Sequence, residues 1–178
     1  VQSFKKVAAD QSSEEKRVFE MKNYLEQILL SLRPQFKRTP HQVQMHCPDD
    51  LTLDSYPGAI MQIMTNLVMN SLIHGFADGR PGEISIDVEA AGENVVLTYR
   101  DTGMGMGREQ KERIYDPFYT TTRGSGGTGL GMNIVYNLVT QTLKGSILLE
   151  TSPGQGAMFM LTLPKDPDRI VVLPGNPA

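Results

Sequence analysis

The chain has 178 residues, with 17 Lys and Arg against 20 Asp and Glu and a formal net charge of −3. A mildly acidic chain attracts neither nucleic acid nor an anionic membrane surface, so neither is expected as its partner. One cysteine, Cys47, excludes an internal disulfide and fits a reducing compartment; no apolar run approaches the ~18 residues of a membrane span, so a cytoplasmic chain without membrane contact of its own is expected.

The chain opens in mid-pattern, without an initiator Met. Val1, Phe4, Val7 and Ala8 share one helical face, as in the last turns of a helix begun upstream. A fragment of a longer protein is therefore expected, whose remainder could be membrane-anchored. DQSSEEKR (10–17) is a polar break in which Ser12 and Glu15 have capping-box spacing. From Lys22 onward Leu25, Ile28, Leu29 and Leu32 recur at helical spacing, and Pro34 is expected to close that helix. HQVQMHC (41–47) alternates, with Val43, Met45 and Cys47 on one side, and predicts a strand containing His41 and His46. A long apolar helix is predicted from near Ser55, with Pro57 in its first turn, to just before ADGRPG (77–82). EISIDVEA (83–90) and NVVLTYRD (94–101) predict two strands joined through Gly92. Residues 102–128 show no sustained periodicity, and a loop of that length in a compact domain is usually functional or mobile. A helix from about Gly129 to Thr142 follows, then a hairpin of GSILLETS (145–152) and AMFMLTLP (157–164) across PGQG. The tail 165–178 has three prolines and is expected to be loose. These elements assemble into an α+β fold, one mixed or antiparallel sheet with helices on one face.

Two features could carry chemistry. DTGMGM (101–106) sets a carboxylate at a strand end before two glycines, and GGTGLGM (126–132) runs glycines directly into a helix. Glycines admit a ligand close to the backbone, and a helix start offers unpaired N–H groups, so main chain alone could hold phosphate there. The other reading is that the glycines simply end strands. No GxxxxGK[ST] loop is present, and GSGGTG (124–129) follows FYTTTR rather than a strand, which removes the context of a dinucleotide fingerprint. Within the apolar helix, Gln62, Asn66, Asn70 and His74 lie at i, i+4 spacing and form one polar stripe. An amide oxygen there could ligate Mg²⁺, or the stripe could be an internal polar network or a solvent-facing strip.

Four segments in order resemble the GHKL family of ATP-binding domains: Asn66-x-x-x-Asn70, Asp101-x-Gly103-x-Gly105, DPFYTT (116–121) and GTGLG (127–131). PFYTTTRGSGGTGLGMNIV and the closing SPGQGAMFMLTLP are most like the catalytic and ATP-binding domain of two-component sensor histidine kinases, over about residues 19–164. The resemblance implies a two-layer α/β sandwich of Bergerat type with a glycine-rich ATP lid, and ATP and Mg²⁺ as ligands. It implies that Asn70 holds Mg²⁺, that Asn66 supports the phosphate end, and that Asp101 accepts a hydrogen bond from the adenine amino group beside Gly103, Gly105 and Met106. Residues 107–128 would be the lid, with Phe118 its hydrophobic anchor, Thr121 within it and Arg123 a phosphate contact. Gly127, Thr128, Gly129, Leu130 and Gly131 would present N–H groups to the phosphates. His74 either contacts phosphate or caps its helix.

In the hydrolase branches of this family a Glu four residues before the metal Asn activates water; here that residue is Asn66, which favours the kinase branch. None of His41, His46 and His74 has the context of a phosphoacceptor, so no catalytic residue is assigned and the acceptor histidine is expected on a dimerisation domain outside the chain. Residues 1–18 are read as the end of that domain's second helix plus a linker, 19–164 as the catalytic domain and 165–178 as a flexible tail. The fragment is expected to be monomeric, its parent a homodimer that passes phosphoryl to a response regulator. Two departures stand out. Ile73 replaces the basic residue common three positions after the metal Asn, and Ala157 follows GQG where relatives often have Ser or Thr. An anti-sigma-factor-type serine kinase and a degenerate nucleotide-sensing interaction module remain as alternatives.

Overall fold

A computed structural model of the protein describes residues 15–37, 39–120 and 129–169. In chain order, strand β1 (Arg17–Glu20) leads into helix α1 (Met21–Phe36), followed by β2 (Gln42–His46), β3 (Thr52–Ser55) and helix α2 (Pro57–Asn70). Strands β4 (Glu83–Ala91) and β5 (Asn94–Asp101), short helix α3 (Arg108–Arg113) and helix α4 (Gly131–Asn137) come next, then strands β6 (Ser146–Thr151) and β7 (Ala157–Pro164). The main sheet has the order β2-β4-β5-β7-β6 and is mixed, because β2 runs parallel to β4 while the other pairs are antiparallel.

One face of this sheet is apolar because its strands alternate strictly. Ile84, Ile86 and Val88, then Val95, Leu97 and Tyr99, then Phe159, Leu161 and Leu163 all point into the core, and register sets Tyr99 between Ile86 and Phe159. The helices cover that face with Tyr24, Leu25 and Ile28 of α1, Ile60, Ile63, Met64 and Leu67 of α2, and Met132 and Val135 of α4. Each fully buried aliphatic side chain contributes about 1.5–3 kcal/mol relative to exposure, so the layer arrangement follows from these patterns. It is the two-layer sandwich expected.

Several elements depart from expectation. Strands β1 and β3 pair antiparallel, Arg17 opposite Ser55 and Glu20 opposite Thr52, as a separate two-stranded ribbon. Helix α1 passes through Pro34 and ends at Phe36, because a proline in a last turn forfeits only one intrahelical bond. Helix α3 lies inside the segment read as loop; its REQKER sequence buries nothing and is supported by the i, i+4 pairs Arg108–Glu112 and Arg113–Glu109. His41 sits just before β2 rather than in it, stacked on Phe76 with ring centres 4.2 Å apart. Helices α2 and α4 each run on into a π-helical turn, Ser71–Gly75 and Leu138–Thr142, marked by Phe76 N–H to Ser71 O and Leu143 N–H to Leu138 O, both 2.8 Å.

Residues 1–9, read as the end of an upstream helix, lie outside the described residues. Residues 165–169, which the sequence assigns to the tail, are bonded in place: Asp54 N–H donates to Lys165 O, and Lys165 N–H to Glu93 O, each at 2.9 Å. Among the described residues no helix is long and apolar enough to cross a membrane.

Candidate functional site

The alternation that buries Val95, Leu97 and Tyr99 also turns Asp101, the last residue of β5, inward, leaving it 5% exposed. Such a carboxylate needs donors. Its Oδ1 accepts from the N–H groups of Gly103 (2.9 Å) and Ala157 (3.2 Å), and its Oδ2 from the Ser71 hydroxyl (2.6 Å). Ser71 opens the π turn after α2 and lies 2.8 Å from the Tyr99 hydroxyl. Because the one Ser71 proton goes to the carboxylate, Tyr99 is the donor to Ser71. Burial pushes the Tyr99 phenol well above its usual range, with the nearby Asp101 charge adding to the rise, so it keeps that proton. Three donors on two oxygens leave one of about four acceptor positions unfilled.

The glycines around Asp101 bring two backbone segments together. Met104 N–H donates to Gly75 O at 2.8 Å, and a Cβ on Gly103 would lie 2.5 Å from that same oxygen. Gly105 has φ +66°, and a Cβ there would stand 2.0 Å from Ser152 O. These glycines therefore make room for neighbouring main chain. The room beside the carboxylate comes from Gly75, whose hydrogen stands where a Cβ would be 3.5–3.6 Å from the Asp101 carboxylate atoms. Met106 donates its N–H to Thr151 Oγ1 at 2.9 Å and packs half-buried against the core.

The polar stripe of α2 runs away from Asp101. Asn66 accepts from Gln62 Nε2 at 3.4 Å, yet its own Nδ2 is buried without a hydrogen-bond partner among the described residues, a cost of about 1–3 kcal/mol. A Cβ on Gly131, the first residue of α4, would be 3.6 Å from Asn66 Oδ1, so the stripe faces the start of that helix. The Asn70 carboxamide, half-buried, makes no hydrogen bond among the described residues. His74 lies half-buried in the π turn, and burial pushes its imidazole below the ordinary value. Among the described residues no group of three or more His, Cys, Asp or Glu side chains could hold a metal ion.

On the lid side, Phe118 is 63% exposed with φ +65°, a left-handed conformation uncommon outside glycine. Gly129 presses on it: a Cβ there would stand 2.5 Å from the Phe118 carbonyl carbon. Leu130 precedes α4 and is half-buried. Arg113, Asp116, Pro117, Phe118, Tyr119 and Thr120 line an open groove of about 470 Å³ that includes none of Asp101, Asn66 and Asn70. Thr121, Arg123, Gly127 and Thr128 lie outside the described residues.

Sequence reasoning missed Ser71, Tyr99, Gly75 and the Ala157 N–H. Tyr99 could have been found, since it shares the inward parity of Asp101 two residues on. The Ala157 contact uses main chain, so the Ala at that position leaves it intact.

Residues 56–167 match the family described as histidine kinase-, DNA gyrase B- and HSP90-like ATPase. The chain is 38% identical over 109 residues to sensor histidine kinase ZraS of Salmonella typhimurium, covering 61% of this chain and 22% of ZraS. It is 30% identical over 169 residues to sensor histidine kinase RcsC of Escherichia coli, covering 90% of this chain and 17% of RcsC. It thus spans about a fifth of the length of these relatives. The solved catalytic domain of histidine kinase ThkA superimposes with a TM-score of 0.74 at 25% identity, covering 86% of this chain and 98% of that one. ThkA solved with response regulator protein TrrA gives 0.69 at 23% identity, covering 95% and 48%. The chain belongs to the histidine kinase-, DNA gyrase B- and HSP90-like ATPase family, and its likeness there is to the catalytic domains of sensor histidine kinases.

Proposed function

We propose that this chain is the part of a sensor histidine kinase that binds Mg·ATP and delivers its γ-phosphoryl group to a histidine on the protein's dimerisation and phosphotransfer domain, from which it passes to a response regulator. The observation that supports this most is the buried Asp101 carboxylate at the end of β5, held by three donors with one acceptor position left and bonded to the turn that follows the helix bearing Asn66 and Asn70. An acceptor-only group in an enclosed site selects a ligand with a donor, as the amino group of adenine supplies. Asn66 offers a buried donor with no other partner among the described residues, suited to a phosphate oxygen. Asn70 offers an amide oxygen uncommitted among the described residues, and Mg²⁺ takes oxygen ligands and draws others from phosphate and water. Bound there, Mg²⁺ would supply charge neutralisation at the phosphates. His74, held toward its neutral form by burial, is a hydrogen-bonding neighbour to the phosphate end rather than a fixed charge. Gly129, Leu130 and Gly131, with Gly127, Thr128, Arg123, Thr121 and Phe118 in the lid, complete the phosphate side.

Phosphoryl transfer depends chiefly on positioning and charge neutralisation, so a domain without its own nucleophile suits a histidine brought from outside. Asn66 stands where a hydrolase needs a general base, and an amide takes no proton from water. The fragment is proposed to be monomeric in isolation, its parent homodimeric and cytoplasmic in this part. Calorimetric titration with ADP and a non-hydrolysable ATP analogue, with and without Mg²⁺, tests the pocket: saturable, Mg²⁺-dependent binding is expected. Adding the segment upstream should then yield acid-labile phosphohistidine from ATP. Absence of binding at millimolar nucleotide sinks the reading.

A further inference from the structure

The hydrogen bonds behind Asp101 reach further into the fold than a binding carboxylate needs. Tyr99 is fully buried, its ring fixed between Ile86 and Phe159 on the neighbouring strands. Its hydroxyl bonds the Ser71 hydroxyl, 2% exposed, which bonds Asp101 Oδ2 at 2.6 Å. A serine in a helix has a competing choice, because its hydroxyl can turn back to the carbonyl four residues earlier, here that of Leu67. The Ser71 N–H already donates to Leu67 O and Val68 O, so that carbonyl is within reach of the turn.

We infer that Tyr99 and Ser71 are positioning residues for base selection: Tyr99 O–H donates to Ser71 Oγ, Ser71 O–H donates to Asp101 Oδ2, and this ordered pair holds the carboxylate as an acceptor with its one unfilled position aimed at an exocyclic amino group. The inference rests on the nucleotide reading of the pocket proposed above. A proton arriving from Tyr99 fixes the Ser71 hydroxyl from behind, so its own proton points forward. Oδ1 is filled by two backbone N–H groups, which leaves the remaining acceptor position on Oδ2, the oxygen Ser71 controls. Gly75 leaves the face of that carboxylate uncovered. A base presenting a carbonyl oxygen at the same place would set acceptor against acceptor. The order of donors thus belongs to the sheet and the π turn, and it selects 6-aminopurine nucleotides before any lid residue takes part.

The test is calorimetric titration of the 178-residue chain with ADP and with purine riboside diphosphate, which carries hydrogen in place of the 6-amino group. The wild type, Tyr99→Phe, Ser71→Ala and Asp101→Asn are compared. The wild type is expected to prefer ADP by about tenfold or more, as a hydrogen bond to a charged group implies. Tyr99→Phe, which keeps the ring, should weaken ADP about fivefold and leave the desamino nucleotide unchanged; Ser71→Ala should shrink the preference at least as much. Equal weakening of both nucleotides, or of neither, in both variants overturns the inference, since a packing role does not distinguish them. Loss of the preference in Asp101→Asn but not in Tyr99→Phe or Ser71→Ala overturns the relay and leaves the pocket standing. Unchanged ADP affinity in Asp101→Asn overturns the pocket reading and the inference with it.

Discussion

At the scale of single residues, Nδ2 of Asn66 is buried with no hydrogen-bond partner among the described residues, so the fold gains nothing from it and the proposed phosphate contact gives it a use. Leu has nearly the same shape and no polar atoms. Asn66→Leu should leave stability unchanged or raise it by about 1 kcal/mol, while weakening ATP analogue binding about tenfold or more. Urea denaturation and calorimetry on the same preparation check both halves, and a clear loss of stability would mean the amide is structural. His74 makes a second prediction through pH. Burial lowers its folded value beneath the ordinary 6.5, so between the two the unfolded chain binds more protons. Stability from this residue is complete above about pH 6.5 and is lost as pH falls through the folded value. His74→Gln should flatten that part of the profile of urea midpoints, since His41 and His46 remain in both proteins. A profile of unchanged slope would show that His74 is not the group responsible.

Elements matter here through how closely two of them meet. The π turn after α2 and the strand-end turn after Asp101 touch backbone to backbone, with Gly103 against Gly75 O. Gly103→Ala should cost about 2 kcal/mol by overpacking and lower ADP affinity as well, because separating the two segments moves Ser71 away from Asp101. Thermal melts paired with titration test this; a melt unchanged from wild type would mean the turn yields freely. The same meeting of elements shows which parts of the fold the sequence could disclose. Strands β4, β5 and β7 alternate over eight or nine residues, and α2 repeats apolar residues over 14, so both periods stand out from noise. Strands β1 and β3 have four residues each, too few for a period of two to declare itself, and their pairing joins residues far apart in the chain, from Glu20 with Thr52 to Arg17 with Ser55. The π turns leave no mark either, since they change the bonding partner by one residue and not the residue types. Of the site, Asn66, Asn70 and Asp101 were legible from spacing and resemblance; Ser71 was not, because its role comes from what β5 places opposite it.

Across the whole molecule, the ribbon of β1 and β3 and the segment that follows β7 are joined by one ammonium. Lys16, just before β1, reaches Asp54 of β3 at 3.4 Å, Asp166 at 2.5 Å and Asp168 at 3.4 Å. The Asp166 carboxylate bonded to it holds the ammonium above its usual value. Asp168 in turn accepts from the Tyr56 hydroxyl at 2.9 Å, at the residue that precedes α2. Thus the start of β1, the segment after β7 and the residue that leads into the helix carrying Asn66 and Asn70 share a single cluster of charge. Without Lys16 the three carboxylates would repel one another, and the ribbon of β1 and β3 would hold residues 165–169 through the Asp54 N–H to Lys165 O bond but without the ion pairs. Lys16→Ala and truncation after Pro164 should each speed hydrogen exchange of the β1 amides several-fold. Because truncation already removes two of the three carboxylates that Lys16 holds, the double variant should exchange no more than about twofold faster than the faster single one. Added salt should slow exchange in Lys16→Ala by screening the three acids, and quicken it in the wild type by weakening the ion pairs. Effects that multiply in the double variant would mean that β1 and the segment after β7 are held independently of each other.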